Sequence, residues 1–143
     1  LVFSVSKNLK SVDISINIIS TGSGRLCKIV VYSSTNLLNW TLEGNSTDIN
    51  CDTSGVKTWS GANINFVPDK FYVVSAIGNV TISASALVNA NVISMGTSFN
   101  TVGNTQASAI AYNVGSYSVP SSFSTNYTAV GFYLMSWFKL QNL

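Results

Sequence analysis

The sequence predicts an all-β fold, an antiparallel β-sandwich in a single domain over residues 1–143. Three observations carry this. Apolar and polar residues alternate along several stretches, the period of a half-buried strand. Turn-forming residues recur at about 8–12-residue spacing, the rhythm of sandwiches and barrels. The residues that build helical surfaces are scarce: one Glu, one Arg and two Gln, against 23 Ser, 16 Asn and 12 Thr.

The elements follow in chain order. Val12, Ile14, Ile16 and Ile18 alternate with Asp13, Ser15, Asn17 and Ile19, predicting a strand with one buried face. Apolar runs over Leu26 to Tyr32 and Leu37 to Leu42 predict the next two. Asn63 to Val67 alternates through Ile64 and Phe66. Phe71 to Ile77 is denser and suits the middle of a sheet. Val80, Ile82, Ala84 and Ala86 alternate with Thr81, Ser83 and Ser85. Ala129 to Phe138 is apolar on both sides, Phe132, Leu134 and Phe138 on one and Tyr133, Met135 and Trp137 on the other, which predicts cover on both faces. Turns are expected at Thr21 to Gly24, Glu43 to Ser46, Ser54-Gly55, Ser60-Gly61, Pro68-Asp69, Gly78-Asn79, Gly96, Gly103-Asn104, Gly115 and Pro120-Ser121. Thr105 to Tyr112 is the one stretch that suits a short helix. Neither a linker nor a repeat of solenoid period divides the chain.

Composition restricts function. Charged residues are 8% of the chain, against about 25% in an average domain. A chain of this length can bury roughly 68–70% of its unfolded surface, so it needs no metal to build a core. There is no His, which removes the commonest general base and metal ligand. The seven cations, Lys7, Lys10, Arg25, Lys28, Lys57, Lys70 and Lys139, are scattered and form no basic cluster for nucleic acid. No apolar run has the length of a membrane span, and no signal peptide is visible, so membrane insertion is not expected. The first residue is Leu, and an excised or processed C-terminal piece of a longer protein is the expectation.

Candidate chemistry is sparse. Asp13, Glu43, Asp48, Asp52 and Asp69 are read as solvated turn carboxylates; Asp48 and Asp52 are the pair that a glycosidase reading would use. Asp48, Asn50 and Asp52 place oxygen donors as an EF-hand loop begins, but Thr53 stands where the loop needs Gly and Trp59 where it needs Glu. A looser calcium site in a β loop is the remaining metal reading, and no metal or other cofactor is expected. Serines have no His to activate them, so no catalytic residue is assigned and the chain is not read as an enzyme. Asn39, Asn45, Asn79 and Asn126 each open an Asn-x-Ser/Thr triplet, which in so Asn-rich a chain arises by chance.

Cys27 and Cys51 are read as buried free thiols of a protein assembled in a reducing cell. The alternative is one bond joining them, which would close a loop worth about 3 kcal/mol in the chain-entropy model. For ligand binding the candidates are aromatic. Trp59 lies beside a turn, where an indole stacks on a sugar ring while neighbouring polar groups bond its hydroxyls. Tyr117 and Tyr127 belong to a Ser/Asn/Tyr-rich stretch with the composition of an adaptable binding surface. Each has packing under a loop or at a subunit interface as its alternative. Tyr133, Met135 and Trp137 are the candidate subunit interface, because a two-layer sandwich buries only one face of each strand.

One stretch carries a family resemblance. Ile64 to Ala76, through Val67-Pro68-Asp69-Lys70-Phe71-Tyr72, resembles a recurring strand–turn–strand of β-sandwich domains in tailed-phage fibre, head-fibre and capsid decoration proteins. Gly78 to Ile82 and Tyr117 to Phe123 fit the same layout, and Val130 to Phe138 resembles the closing strand; Asp69 replaces the usual Gly after the Pro. The resemblance covers roughly residues 12–138 in pattern. It implies a jelly-roll-like sandwich, a homotrimer on the virion surface assembled in the host cytoplasm, and contacts with other virion proteins. Its functional implication is a distal fibre or spike domain attaching to host-surface glycan or protein. The alternative is a decoration or head-fibre module with a structural role only. A polysaccharide depolymerase and a secreted lectin-like module stand further off.

Overall fold

The computed structural model describes residues 2–19, 22–79, 86–87, 97–98, 117–124, 133–134 and 136–142. Within them lie twelve antiparallel strand segments: β1 Val2–Val5, β2 Leu9–Ile18, β3 Leu26–Ser34, β4 Asn39–Asn45, β5 Ile49–Asn50, β6 Gly55–Phe66, β7 Phe71–Gly78, β8 Ala86–Leu87, β9 Thr97–Ser98, β10 Ser122–Ser124, β11 Tyr133–Leu134 and β12 Ser136–Asn142. This exceeds the strands expected from alternation because two- and three-residue ladders such as β5 and β10 leave no periodic signal. One sheet runs β10-β4-β3-β7-β1-β9, with β5 also paired to β3; a second runs β12-β2-β6; β8 and β11 form a separate pair. The expected helix over Thr105 to Tyr112 lies outside the described residues, as does most of the strand expected over Val80 to Ala86.

The two larger sheets pack face to face, making an all-β sandwich. Phe3, Val5, Ile29, Val31, Tyr72 and Val74 come from the seven-stranded sheet, and Leu9, Ile14, Ile16, Ile18, Ile64 and Phe66 from the three-stranded one. Phe66 meets Phe3, Tyr72 and Phe138 edge-on, with ring centroids 4.8–5.8 Å apart. T-shaped packing sets positive ring edges against negative faces.

The strand β2 is longer than its simple alternation, and its inward face changes parity midway. Leu9 and Ser11 are buried, then Ile14, Ile16 and Ile18. The switch falls at a register shift, where Ser11 pairs with Ile64 but Asp13 with Ser60. The extra residues belong to β6 and include Gly61 and Asn63, both at positive φ. Expected to be a turn, Ser60-Gly61 is instead a bulge inside a twelve-residue strand, a common position for glycine in a ladder. Another boundary moves at Leu37, which sits at φ 63 in a turn. There the Ser34 hydroxyl accepts from the Asn36 and Leu37 amides, and the Asn36 side-chain Oδ1 accepts from the Leu38 and Asn39 amides. Short polar side chains thus satisfy a bend that apolar content alone reads as strand.

The cysteine expectation is corrected. Cys27 and Cys51 are joined in a disulfide. The pairing of Cys27 with Ile49 brings β5 back alongside β3, and the two Cα atoms lie 6.1 Å apart, within the usual span of a bridge. The register of β5 on β3 brings the two positions within bridging reach, and 24 residues of intervening chain concealed the pairing.

Candidate functional site

The strand β3 is buried on both faces, with every residue from Ile29 to Ser34 shielded from solvent. Its odd positions face the other sheet. Its even positions, Val30 and Tyr32, join Trp40 and Val73 in a second apolar cluster on the opposite face. Residues 117–124 cross that face as a strap. Val119 and Phe123 pack on the cluster; Phe123 stands edge-on to Tyr32 at 4.8 Å and stacks on Trp40 at 6.3 Å. The Tyr32 hydroxyl donates to the Pro120 carbonyl at 2.9 Å, the Leu42 amide donates to the Ser121 carbonyl at 2.9 Å, and β10 pairs with β4. Among the described residues, no acceptor meets the buried indole Nε1 of Trp40.

At the strap's leading end lies a small polar constellation. The Tyr117 hydroxyl donates to Asp48 Oδ1 at 2.8 Å. Lys28 Nζ lies 3.6 Å from the same oxygen and 4.8 Å from the centroid of the Tyr117 ring. Burial, then the hydrogen bond to Asp48 and its charge, pushes the Tyr117 hydroxyl far above the ordinary tyrosine range. A phenol donating to a carboxylate resists ionisation because its anion would face that charge. The arrangement presents an aromatic ring, a cation and a carboxylate at the surface, the groups that stack on and hydrogen-bond a polar ligand.

Other carboxylates serve the fold. Asp52 accepts from the Arg25 amide at 2.7 Å and from the Asn50 side chain at 3.3 Å. Asp13 accepts from the Gly61 amide at 3.1 Å. Glu43 accepts from Ser33 and from Lys70. Asp48 and Asp52, paired in the glycosidase and calcium readings, therefore engage different partners. Among the described residues, no group of three or more His, Cys, Asp or Glu side chains could hold a metal ion.

The sequence candidates do not converge. Trp59 is half-buried between the sheets against the main core, and its ring reaches so close to Gly44 that an added Cβ would lie 3.2 Å from Cη2. Tyr117 belongs to the opposite face of the seven-stranded sheet. Tyr127 and Met135 lie outside the described residues. The backbone of Tyr133 pairs with Leu87, and that of Trp137 with Ser15. Lys28 escaped sequence reasoning, and Asp48 was read only together with Asp52, because nothing in a one-dimensional pattern joins positions 28, 48 and 117. A usable sign was Lys28 itself, a cation interrupting an apolar run.

Comparison with protein-family models, with curated proteins and with solved structures finds no match to this chain.

Proposed function

We propose that this chain is a non-catalytic virion surface protein, a jelly-roll-like distal fibre or spike domain that attaches to host-surface glycan or protein and works as a homotrimer. The observation that carries the reading is a β-sandwich whose outer face is built largely from uncharged polar residues. On the outer face of the three-stranded sheet stand Asn17, Thr58 and Ser60, and the Ser15 and Thr58 hydroxyls bond each other at 2.8 Å. Such a surface does not depend on ion pairs that salt screens, which suits a virion exterior. Attachment is assigned to the Tyr117, Lys28 and Asp48 patch.

A second reading, a capsid-surface or head-fibre module with a structural role only, is favoured by the inward packing of Trp59, which half-buries against the core the indole that a sugar platform would need exposed. Sedimentation of the chain at micromolar concentration, together with binding to a panel of immobilised bacterial surface polysaccharides and outer-membrane proteins, tests both. The fibre reading expects a trimer whose binding falls at least about tenfold in Tyr117→Ala, the loss of one aromatic contact and its hydrogen bond. A trimer that binds nothing selects the structural module, and a monomer that binds nothing overturns both.

A further inference from the structure

The disulfide and the strap belong to opposite faces of the seven-stranded sheet, yet one short segment serves both. Residues 46–52 leave β4, form β5 and reach Cys51. At the start, the Ser46 amide donates to the Ile29 carbonyl and the Ile29 amide to the Ser46 hydroxyl, both at 2.9 Å. At the far end, Cys51 is bonded to Cys27 and its amide donates to the Arg25 carbonyl at 2.8 Å. Between these anchors, among the described residues, the two-residue β5 ladder, the packing of Ile49 on the core and the Lys28–Asp48 ion pair hold the segment to β3. Asp48 lies in that span, and it is the residue that accepts from Tyr117 and pairs with Lys28. The trailing end of the strap has independent support in β10 and Phe123.

We propose that the Cys27–Cys51 bond is a redox latch for the leading end of the strap. Closed, it fixes residues 46–52 so that Asp48 meets Tyr117; opened, it frees Asp48, and residues 117–120 lift from Tyr32 and its apolar neighbours. Opening is a thiol–disulfide exchange with a dithiol reductant. One thiolate of the reductant attacks a cysteine sulfur and forms a mixed disulfide; its second thiol resolves that bond. Two electrons and two protons pass to Cys27 and Cys51, and the reductant leaves as its own disulfide. Both cysteines are fully buried, so the exchange requires residues 46–52 to open locally and is slow in the native fold. Closing is the same exchange in reverse: a disulfide oxidant takes two electrons and two protons from Cys27 and Cys51 and leaves as its dithiol, and the exposed side of the sheet is then sealed.

Hydrogen exchange measured by mass spectrometry on the full chain tests this. Three samples are compared with the untreated oxidised protein: dithiothreitol-treated protein, the Cys27→Ala/Cys51→Ala variant, and oxidised Asp48→Ala. In the first two, exchange over residues 117–121 and at the Leu42 amide, which donates to the Ser121 carbonyl, is expected to speed up at least about tenfold more than exchange in β2, as opening of the strap requires. Asp48→Ala, with its disulfide intact, is expected to reproduce the loss in the strap and leave β2 unchanged. Strap protection that survives reduction overturns the latch. So does an equal loss in the strap and β2, including outright unfolding, because the bond would then stabilise the whole fold without a particular hold on the strap. An Asp48→Ala protein with a fully protected strap overturns the route through Asp48.

Discussion

Two glycines show how one substitution tests two different physical constraints. Gly44 has ordinary backbone geometry, but a Cβ there would lie 2.8 Å from Ile64 Cδ1 and 3.2 Å from Trp59 Cη2. Gly44→Ala forces side chains apart in a packed layer, and a loss of about 1–3 kcal/mol is expected in denaturant unfolding. Gly61 has open space around it but φ 69, so Gly61→Ala is expected to lose only about 1–2 kcal/mol, the left-handed backbone penalty. The sequence marked both as turn glycines. That was wrong for both, because close approach by Trp59 and a bulge opposite β2 are tertiary facts. Tyr117 gives a third test. Its pKa is raised above the ordinary value of 10.0 by burial and by Asp48. The unfolded chain therefore ionises first as pH rises. The stabilisation is complete below about pH 10 and is lost upward from there toward the folded value. A spectrophotometric titration differenced against Tyr117→Phe should place this phenol above the ordinary value of 10.0, and Asp48→Ala should lower it part of the way, leaving the contribution of burial.

Strands with a clean one-sided burial pattern were the readable elements. Ile14, Ile16 and Ile18 announce β2, and the dense Phe71 to Ile77 run announces β7, the neighbour of β3 near the middle of its sheet. Pro68-Asp69 was read as a turn, and Asp69 takes the left-handed conformation there at φ 67, which Asp tolerates better than most residues. The first half of β6 was not readable: Val56, Thr58 and Ser60 are exposed while Gly55, Lys57 and Trp59 are only half-buried, so no apolar face announces it. The strap was equally silent, because a segment held by Phe123, two backbone carbonyls and one phenol has no period. Its weight can be measured. Phe123 contacts both Tyr32 and Trp40, and Phe123→Ala is expected to lose about 2–3 kcal/mol, somewhat below the value for a fully buried Phe because the ring is half-exposed. Chemical denaturation with unchanged m-value would verify it. A loss under about 0.5 kcal/mol, the range of ordinary surface changes, would mean that the strap contributes little to the cluster it covers.

At the scale of the whole molecule, the composition leaves one face to account for. The inner face of the three-stranded sheet is closed by the other sheet, with Phe138 and Leu140 packed against the core. Its outer face is not closed by any described residue, and the register of β12 sets Trp137 opposite Ser15. Two positions along that face, Asn17 pairs with Val56, which is 60% exposed, and Ile19, 54% exposed, follows at the strand's end. Three charges stand there: Lys10, Asp13, which is bonded to Gly61, and Lys139, which pairs with Asp13 across the strands. A solvated sheet face normally carries more charge to keep other strands away. The proposed trimer puts a second copy against the Val56 and Ile19 end of this surface and leaves the polar remainder to solvent, and Val56→Lys tests that placement. In a lone chain the change is nearly neutral, because the residue is already exposed. In an assembly closed through this face it sets an unpaired ammonium against apolar surface, and trimer is expected to give way to monomer with the fold intact. Sedimentation velocity on wild type and variant reads the outcome. A wild-type chain that sediments at its monomer mass of 15.2 kDa overturns the trimer, and a trimer indifferent to Val56→Lys places its interface on another surface.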